Sequence, residues 1–122
     1  MSFYRSSSVS IVTDGAGAAT AYTSDFLNGG HVESVTITTG TLVAGTDWTI
    51  TDDATGAAIL TLTNVNTGTF RPRGATHDTV GAASLYTTGF AVNDKIAISG
   101  RIKIVVAQGG AATAGTISFI VS

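Results

Sequence analysis

The stretch DWTITDDATGAAILTLTNV, residues 47–65, contains the clearest pair of strands in the sequence. Trp48 and Ile50 alternate with threonines in its first strand, and ILTL, residues 59–62, forms the second strand. Between the two strands, DDATG (residues 52–56) combines the residue types that favour tight turns. Apolar residues at every second position place one face of a strand against a core. The stretch therefore predicts a β-hairpin.

The rest of the chain repeats this pattern of Thr-, Val- and Ile-rich segments, with Gly-containing breaks between them. The segments are SVSIVTD (8–14), GAATAYTS (17–24), HVESVTITTG (31–40), KIAIS (95–99), RIKIVVAQ (101–108) and GTISFIVS (115–122). Each has the length of a strand, and none approaches the ~18 apolar residues of a membrane-spanning helix. We expect one all-β domain over residues 1–122, a β-sandwich or jelly-roll-like barrel of about seven or eight short strands.

One segment, which begins with RPRGATHDTVGAAS at residues 71–84, breaks the alternation. We predict an irregular loop over about 71–89, with one helical turn at AASLYT (82–87). Pro72 favours an extended backbone and keeps the side chains of Arg71 and Arg73 roughly on the same side. Guanidinium groups bind carboxylates bidentately, so the pair suits a contact with another chain. Exposed arginines without a partner are the alternative.

A second candidate contact lies in KIAISGRIKIVVAQ, residues 95–108, where isoleucines occupy positions 96, 98, 102 and 104. The alternate positions include Lys95, Arg101 and Lys103. This alternation predicts one apolar face and one cationic face. The cationic face would contact an acidic partner, or it would protect a sheet edge against aggregation.

The composition excludes several classes of function. Charged residues make up 11% of the chain and the net charge is −2. Electrostatic attraction between this surface and a nucleic acid or an anionic membrane would therefore be weak. The sequence has no cysteine, which excludes disulfides, thiol catalysis and Cys-based metal sites. The N-terminal residues lack a continuous apolar segment, so we expect no signal peptide. So few charges also suggest that neighbouring molecules cover much of the surface.

His77, Asp78 and Ser84 are the residue types of a catalytic triad. Adjacent residues on a strand point to opposite sides, however, and no G-x-S-x-G turn accompanies the serine. We instead expect Asp78 to accept hydrogen bonds from backbone N–H groups in a loop, and His77 to contact a neighbour. The sequence thus predicts no catalytic residue and no enzymatic activity.

Neither a metal nor a cofactor is expected. The two histidines, His31 and His77, are far apart without a paired spacing. Asp47, Asp52 and Asp53 are the best calcium candidates, but they lack the D-x-D-x-D-G order of a calcium loop, and a solvated turn is the expected alternative.

The aromatic residues offer another alternative, a platform for sugars. The candidates are Tyr22, Trp48, Phe70, Tyr86 and Phe90. Isolated aromatic side chains in β domains more often fill the core or an interface, so both readings remain open at this point.

The segments at residues 47–65, 71–86 and 101–121 together resemble small virion structural proteins of tailed bacteriophages, including capsid decoration proteins. The resemblance implies a trimer or other small oligomer that binds the major capsid protein on the outer surface of the capsid and cements the shell. The alternatives are a receptor- or glycan-binding module of a tail fibre or spike, and a tail-tube or head-tail connector component. The expected contact residues are Arg71, Pro72, Arg73, His77, Asp78, Lys95, Arg101 and Lys103.

Overall fold

A computed structural model describes residues 4–24 and 29–122, which form twelve β-strands. The strands are β1 (Arg5–Val12), β2 (Ala19–Tyr22), β3 (Gly30–Thr39), β4 (Asp47–Asp52), β5 (Ala58–Leu62), β6 (Gly68–Phe70), β7 (Arg73–Ala75), β8 (Leu85–Thr87), β9 (Phe90–Ala91), β10 (Asn93–Ile98), β11 (Ile102–Ala107) and β12 (Ala114–Val121). The all-β prediction is confirmed. Eight of the twelve strands have four or more residues, and the other four, β6 to β9, have two or three. In the described ranges no helix is long and apolar enough to cross a membrane.

The strands form two main antiparallel sheets and one small hairpin. The six-stranded sheet has the order β1-β12-β3-β10-β7, and β6 pairs with β3 beside β10. Strands β10 and β6 share one edge of β3, because Ile96–Ile98 pairs with Gly30–Val32 while Gly68–Phe70 pairs with Val35–Ile37. The four-stranded sheet has the order β2-β11-β4-β5, and β8 pairs only with β9.

The core contains the inward-facing residues of both main sheets. The six-stranded sheet contributes Ile11, Val32, Val35, Ile37, Ile98, Ile117, Phe119 and Val121, and the four-stranded sheet contributes Trp48, Ile50, Ile59, Ile102, Ile104 and Val106. Trp48 is fully buried, and its indole N–H donates to the backbone oxygen of Val65 at 2.8 Å. The period-two pattern of the sequence thus becomes a β-sandwich with one apolar core.

The hairpin predicted at residues 47–65 is confirmed. Strands β4 and β5 pair with Trp48 opposite Leu62 and Ile50 opposite Leu60, and the register shifts before Thr51 pairs with Ala58. The turn between them differs in one respect from the solvated turn predicted from the sequence, because Asp52 at the end of β4 is buried and only 2% exposed.

The side chain of Asp52, at the end of β4, contacts the turn between β10 and β11, where the chain crosses from one sheet to the other. Its carboxylate accepts hydrogen bonds from the backbone N–H groups of Ser99 (2.7 Å), Gly100 (3.1 Å) and Ala54 (3.0 Å). A Cβ atom on Gly100 would lie 2.7 Å from the Cβ of Ala54, so the close approach requires glycine. Burial by itself would raise the pKa of Asp52, but these N–H donors together with Thr55 outweigh it and lower the pKa below its ordinary value.

The crossing at Gly100 corrects one prediction from the sequence. Lys95 belongs to β10 in the six-stranded sheet, whereas Arg101 directly precedes β11 and Lys103 lies within it, in the four-stranded sheet. The single cationic face predicted for these three residues is therefore wrong. The alternation of apolar and charged residues continues through Gly100 in the sequence, but the chain changes sheets there. The outward-facing residues of β10 and of β11 therefore lie on opposite sides of the sandwich.

The helical turn predicted at residues 82–87 is also wrong, because β8 lies there. Likewise the segment 71–89, predicted to be irregular, contains β7, β8 and an isolated bridge between His77 and Ala83. The bonds that fix the ends of this segment, between β7 and β10 and from Thr76 to Val92, join positions distant in sequence, which local periodicity cannot detect.

Replacement of Asp52 with asparagine tests the crossing. We expect Asp52→Asn to lower the free energy of unfolding by about 2 kcal/mol or more, because hydrogen bonds to a charged acceptor are stronger than those to a neutral one. The pKa is lowered in the folded state, so this stabilisation is present above the unfolded pKa of ~3.9 and is lost as the pH falls through the lowered value. Denaturant unfolding of both proteins between pH 7 and pH 2 measures it.

The neighbouring variant Asp53→Asn is the matched control. It removes a partly exposed ion pair with Arg101, which should cost less than ~1 kcal/mol. A difference between wild type and Asp52→Asn that stays constant down to pH 2 would contradict the role assigned to the Asp52 carboxylate.

Candidate functional site

Residues 76–92 leave the six-stranded sheet after β7 and return to it at β10; we call this segment the arm. Three backbone hydrogen bonds of 2.9 Å close its base, from the N–H of Thr76 to Val92, from Ser84 to Thr76, and from Val92 to Ser84. The arm is thus anchored where it leaves the sandwich. Two loops project from this base, one over residues 77–83 and one over 85–91.

The first loop is a turn organised by Asp78. Its carboxylate accepts hydrogen bonds from the N–H groups of Val80 (3.0 Å) and Ala82 (2.9 Å). This confirms the expectation that Asp78 accepts backbone N–H bonds. Asp14 makes the same contacts to residues 16 and 18, and both turns have the sequence D-x-x-G-A. His77 is exposed and lies at the start of the loop.

The second loop is the hairpin of β8 and β9. Leu85 pairs with Ala91 and Thr87 with Phe90, and the register shifts at Tyr86 between these pairs. The turn contains Gly89 with φ of 81°, a conformation that favours glycine. The rings of Tyr86 and Phe90 lie side by side with centroids 5.7 Å apart and an angle of 37° between the planes.

The arm exposes an unusual share of the large apolar side chains. Ten such side chains are exposed among the described residues, and five are in the arm: Val80, Leu85, Tyr86, Phe90 and Val92. Val80 is 85% exposed, Tyr86 70% and Phe90 56%. The only charged residue of the arm is Asp78. A cluster of exposed apolar groups on an ordered segment is typical of an interaction site.

The contact loop predicted from the sequence overlaps the arm, but the prediction did not rest on the apolar side chains that the arm exposes. The predicted contact residues here are Arg71, Pro72, Arg73, His77 and Asp78, whereas the exposed apolar surface belongs largely to Val80, Leu85, Tyr86 and Phe90. A usable signal was present. Four large apolar residues lie between positions 85 and 92, but Leu85 and Tyr86 are adjacent and the segment TTG (87–89) separates them from Phe90 and Val92, so no regular strand alternation spans the segment.

The two arginines at the base of the arm differ in their contacts. Pro72 is buried while Arg71 and Arg73 are both exposed, as the predicted extended backbone requires. The Nη1 atom of Arg73 donates to the backbone oxygens of Pro72 (2.8 Å) and Glu33 (3.3 Å). Arg71 has no hydrogen bond or ion pair with any other residue the structure describes. Its guanidinium group is therefore the freer of the two.

Lys95 lies next to Arg73 on the six-stranded sheet and forms an ion pair with Glu33. The ammonium nitrogen and Oε1 of Glu33 are 2.5 Å apart. The hydrogen bond from Lys95 lowers the pKa of Glu33, with Ser122 adding to the effect, and Glu33 in turn raises the pKa of Lys95. Both groups stay charged near neutral pH, and they largely neutralise each other.

Arg101 and Lys103 lie on the outer face of the four-stranded sheet. Arg101 forms an ion pair with Asp53, with Nε and Oδ2 2.9 Å apart, and its guanidinium carbon lies 4.0 Å from the centroid of the Tyr22 ring. Lys103 pairs in register with Tyr22 on one side and Thr51 on the other. This small patch belongs to the four-stranded sheet, whereas the arm leaves the six-stranded sheet.

Each of the three aspartates that are calcium candidates in the sequence has a structural partner. Asp47 accepts a hydrogen bond from the N–H of Asn64 at 3.0 Å, Asp53 pairs with Arg101, and Asp52 binds the sheet crossing. No group of three or more potential metal ligands occurs within residues 4–24 and 29–122.

The aromatic side chains do not share a platform. Trp48 is in the core, Phe70 is half-buried, and Tyr22 lies on the four-stranded sheet. Of these five candidates, all of them described, only Tyr86 and Phe90 are neighbours on the surface. The geometry therefore favours the arm as the candidate site over a distributed sugar-binding face.

Comparison with protein-family models, curated proteins and solved structures finds no match to this chain.

The turn at Asp78 can be tested without disturbing the core. We expect Asp78→Ala to increase amide hydrogen exchange at Val80 and Ala82 by roughly 10-fold, because two N–H groups lose their acceptor. The thermal midpoint of the sandwich should change little, since the turn is exposed. Thr79→Ala, at an exposed position of the same turn, is the matched control. Unchanged exchange in Asp78→Ala would show that the carboxylate does not order the loop.

Proposed function

We propose that this protein is a structural component of a tailed-bacteriophage virion, a capsid decoration or cement protein that binds the major capsid protein on the outer surface of the head. The observation that supports this most directly is the arm, which presents apolar side chains on an ordered frame. The low charge of the chain and the resemblance of three segments to such virion proteins support it further. The proposed contact is with protein and involves neither nucleic acid nor membrane.

The energetics of the arm fit a protein that acts in many copies. Full burial of one large apolar side chain contributes roughly 1.5–3 kcal/mol, and five are available. Association costs an estimated ~4–15 kcal/mol in lost freedom and ordering. A single copy therefore gains only modest affinity. Many copies that bind the mature shell better than its precursor shift the equilibrium toward the mature shell by mass action.

Arg71 would supply specificity at the base of the arm. Its exposed guanidinium group suits a carboxylate on the capsid protein, since the planar fork pairs with both oxygens. Arg73 already donates to backbone oxygens of its own chain, so its share of the contact is smaller. Small oligomers of the protein would multiply this contact by avidity.

Cosedimentation with phage heads that lack the protein is the first test. Purified protein should bind such heads saturably, and loaded heads should resist DNA loss on heating or at low salt better than bare heads. Absence of binding to heads would refute the cement role. The same protein should then be tested with tails and host polysaccharides, which separates the tail-fibre and connector alternatives.

The aromatic pair of the arm provides the sharpest variant. Tyr86→Ser with Phe90→Ser should weaken binding to heads at least ~100-fold, because two exposed rings no longer leave water on binding. Tyr22→Ser, which removes an exposed ring from the four-stranded sheet, is the matched control and should bind like wild type. Equal loss of binding in both proteins would contradict the assignment of the arm as the contact.

The arginines give a second and independent variant. Arg71→Ala with Arg73→Ala should reduce head binding at physiological salt and weaken its dependence on ionic strength, since fewer charge pairs form. Arg71→Ala alone should account for most of the effect. Lys103→Ala, on the opposite sheet, is the control. Unchanged binding by the double variant would remove these arginines from the contact.

A further inference from the structure

Strand β1 forms an open edge of the six-stranded sheet. Its residues pair with β12 without a register shift from Arg5 opposite Val121 to Val12 opposite Ala114. The N–H of Thr13 donates to the oxygen of Thr113, so the odd-numbered residues of β1 direct their backbone groups toward β12. The even-numbered residues, Ser6, Ser8, Ser10 and Val12, direct theirs outward, and among the described residues no strand pairs with them.

This edge lacks the features that normally prevent association. Open edges of natural sheets are usually short, bulged, charged or interrupted by proline. The β2 edge has four residues, the β7 edge has three and carries Arg73, and β5 has a register shift. Strand β1 has eight residues and a regular ladder, and from residue 6 to residue 12 it contains neither charge nor proline. Its outward backbone groups are therefore ready to pair with another strand.

We propose that the occupant of this edge is β1 of a second copy of the chain, paired antiparallel about a two-fold axis at Val9. This register places Ser8 opposite Ser10 of the second copy and Ser6 opposite Val12. All four outward residues of each strand then form hydrogen-bonded pairs. The two six-stranded sheets become one continuous sheet.

The charges at the ends of β1 favour this antiparallel arrangement. Arg5 at one end comes opposite Thr13 of the second copy, directly beside Asp14. Hydrogen bonds from the N–H groups of Ala18 and Ala16 lower the pKa of Asp14, so it stays ionised. The antiparallel pair keeps the two Arg5 side chains, each of which donates to the backbone oxygen of Gly29 at 2.8 Å, at opposite ends of the interface, whereas a parallel pair would bring these like charges together.

The side chains on the outer face continue the pattern already present within one chain. Ser8 and Ser118 on neighbouring strands share a hydrogen bond of 2.8 Å between their hydroxyl groups. The proposed register places Ser8 beside Ser10 of the second copy in the same way, and small hydroxyl side chains create no steric conflict there. The contact is two-fold and closes as a dimer, which differs from the trimer that the resemblance implies.

The β1 contact and the arm can operate together. The arm leaves the sheet from β7, which lies at the opposite end of the strand order from β1. This inference does not rest on the proposed function, and variants of the arm should leave the dimer intact.

Sedimentation equilibrium of the full chain tests the proposal. Wild type should show twice the chain mass of 12.3 kDa. Ser10→Pro should raise the dissociation constant at least ~10-fold, because proline removes the outward N–H at two symmetric positions. Ser10→Ala, which keeps the N–H, and the Tyr86→Ser, Phe90→Ser double variant should remain dimeric. A wild-type monomer, a trimer, or a dimer that Ser10→Pro does not weaken would overturn the proposal.

A cross-link test does not depend on how the fold tolerates proline. The chain has no cysteine, and the register brings the Cα atoms of two Val9 residues to about 4.5 Å, within disulfide range. Val9→Cys should form a disulfide-linked dimer on mild oxidation. Ser6→Cys should not, since its two copies would be roughly 20 Å apart along the strands. Equal cross-linking of both variants, or of neither, would contradict the register.

Discussion

The carboxylate of Asp52 at the sheet crossing is the interaction on which the arrangement of this molecule depends. It joins the end of β4 to the first residues after β10, and so joins the two sheets at one corner. A buried carboxylate is costly unless it is fully hydrogen-bonded. Here three backbone N–H groups satisfy it, those of Ser99 and Gly100 in the sharp turn between the sheets and that of Ala54 in the β4–β5 turn, where the turns would otherwise leave them without strand partners. The turn and the carboxylate therefore require each other.

The crossing also decides which surfaces exist. Because the chain changes sheets at Gly100, Lys95 joins Glu33 and Arg73 on one side of the sandwich, and Arg101 joins Tyr22 and Asp53 on the other. Lys95 and Arg101 form ion pairs, and Arg5 and Arg73 donate to backbone oxygens, so four of the six cations are engaged within the chain. A surface with so few charges presents mainly hydroxyl and apolar groups. The arm and the β1 edge stand out against that background. One exposes apolar side chains and the other exposes backbone hydrogen-bonding groups, which are the two means by which β proteins usually associate.

The sequence predicted the elements that depend on neighbouring residues. The β4–β5 hairpin follows from Trp48, Ile50 and the DDATG turn, and the alternation of Ile102 and Ile104 gave the correct face of β11. The same kind of local pattern did not predict the structure of the arm. Its base is held by backbone bonds among Thr76, Ser84 and Val92, and such bonds leave no side-chain pattern. The prediction of a helical turn at residues 82–87 failed for that reason, and the sequence indicated Tyr86 and Phe90 only as members of a sugar platform, not as an adjacent exposed pair.

The sequence by itself determined that this chain is all-β, because strand periodicity is local and every second side chain of the core segments is apolar. It also determined the turns that begin with an aspartate and contain a glycine, because a carboxylate two residues before an N–H group needs no distant partner. Only the tertiary structure decided which strands share a sheet, which cations share a face and which apolar residues remain exposed. Those properties depend on contacts between positions far apart in the chain, where burial and hydrogen bonding are settled by the packing of both sheets together.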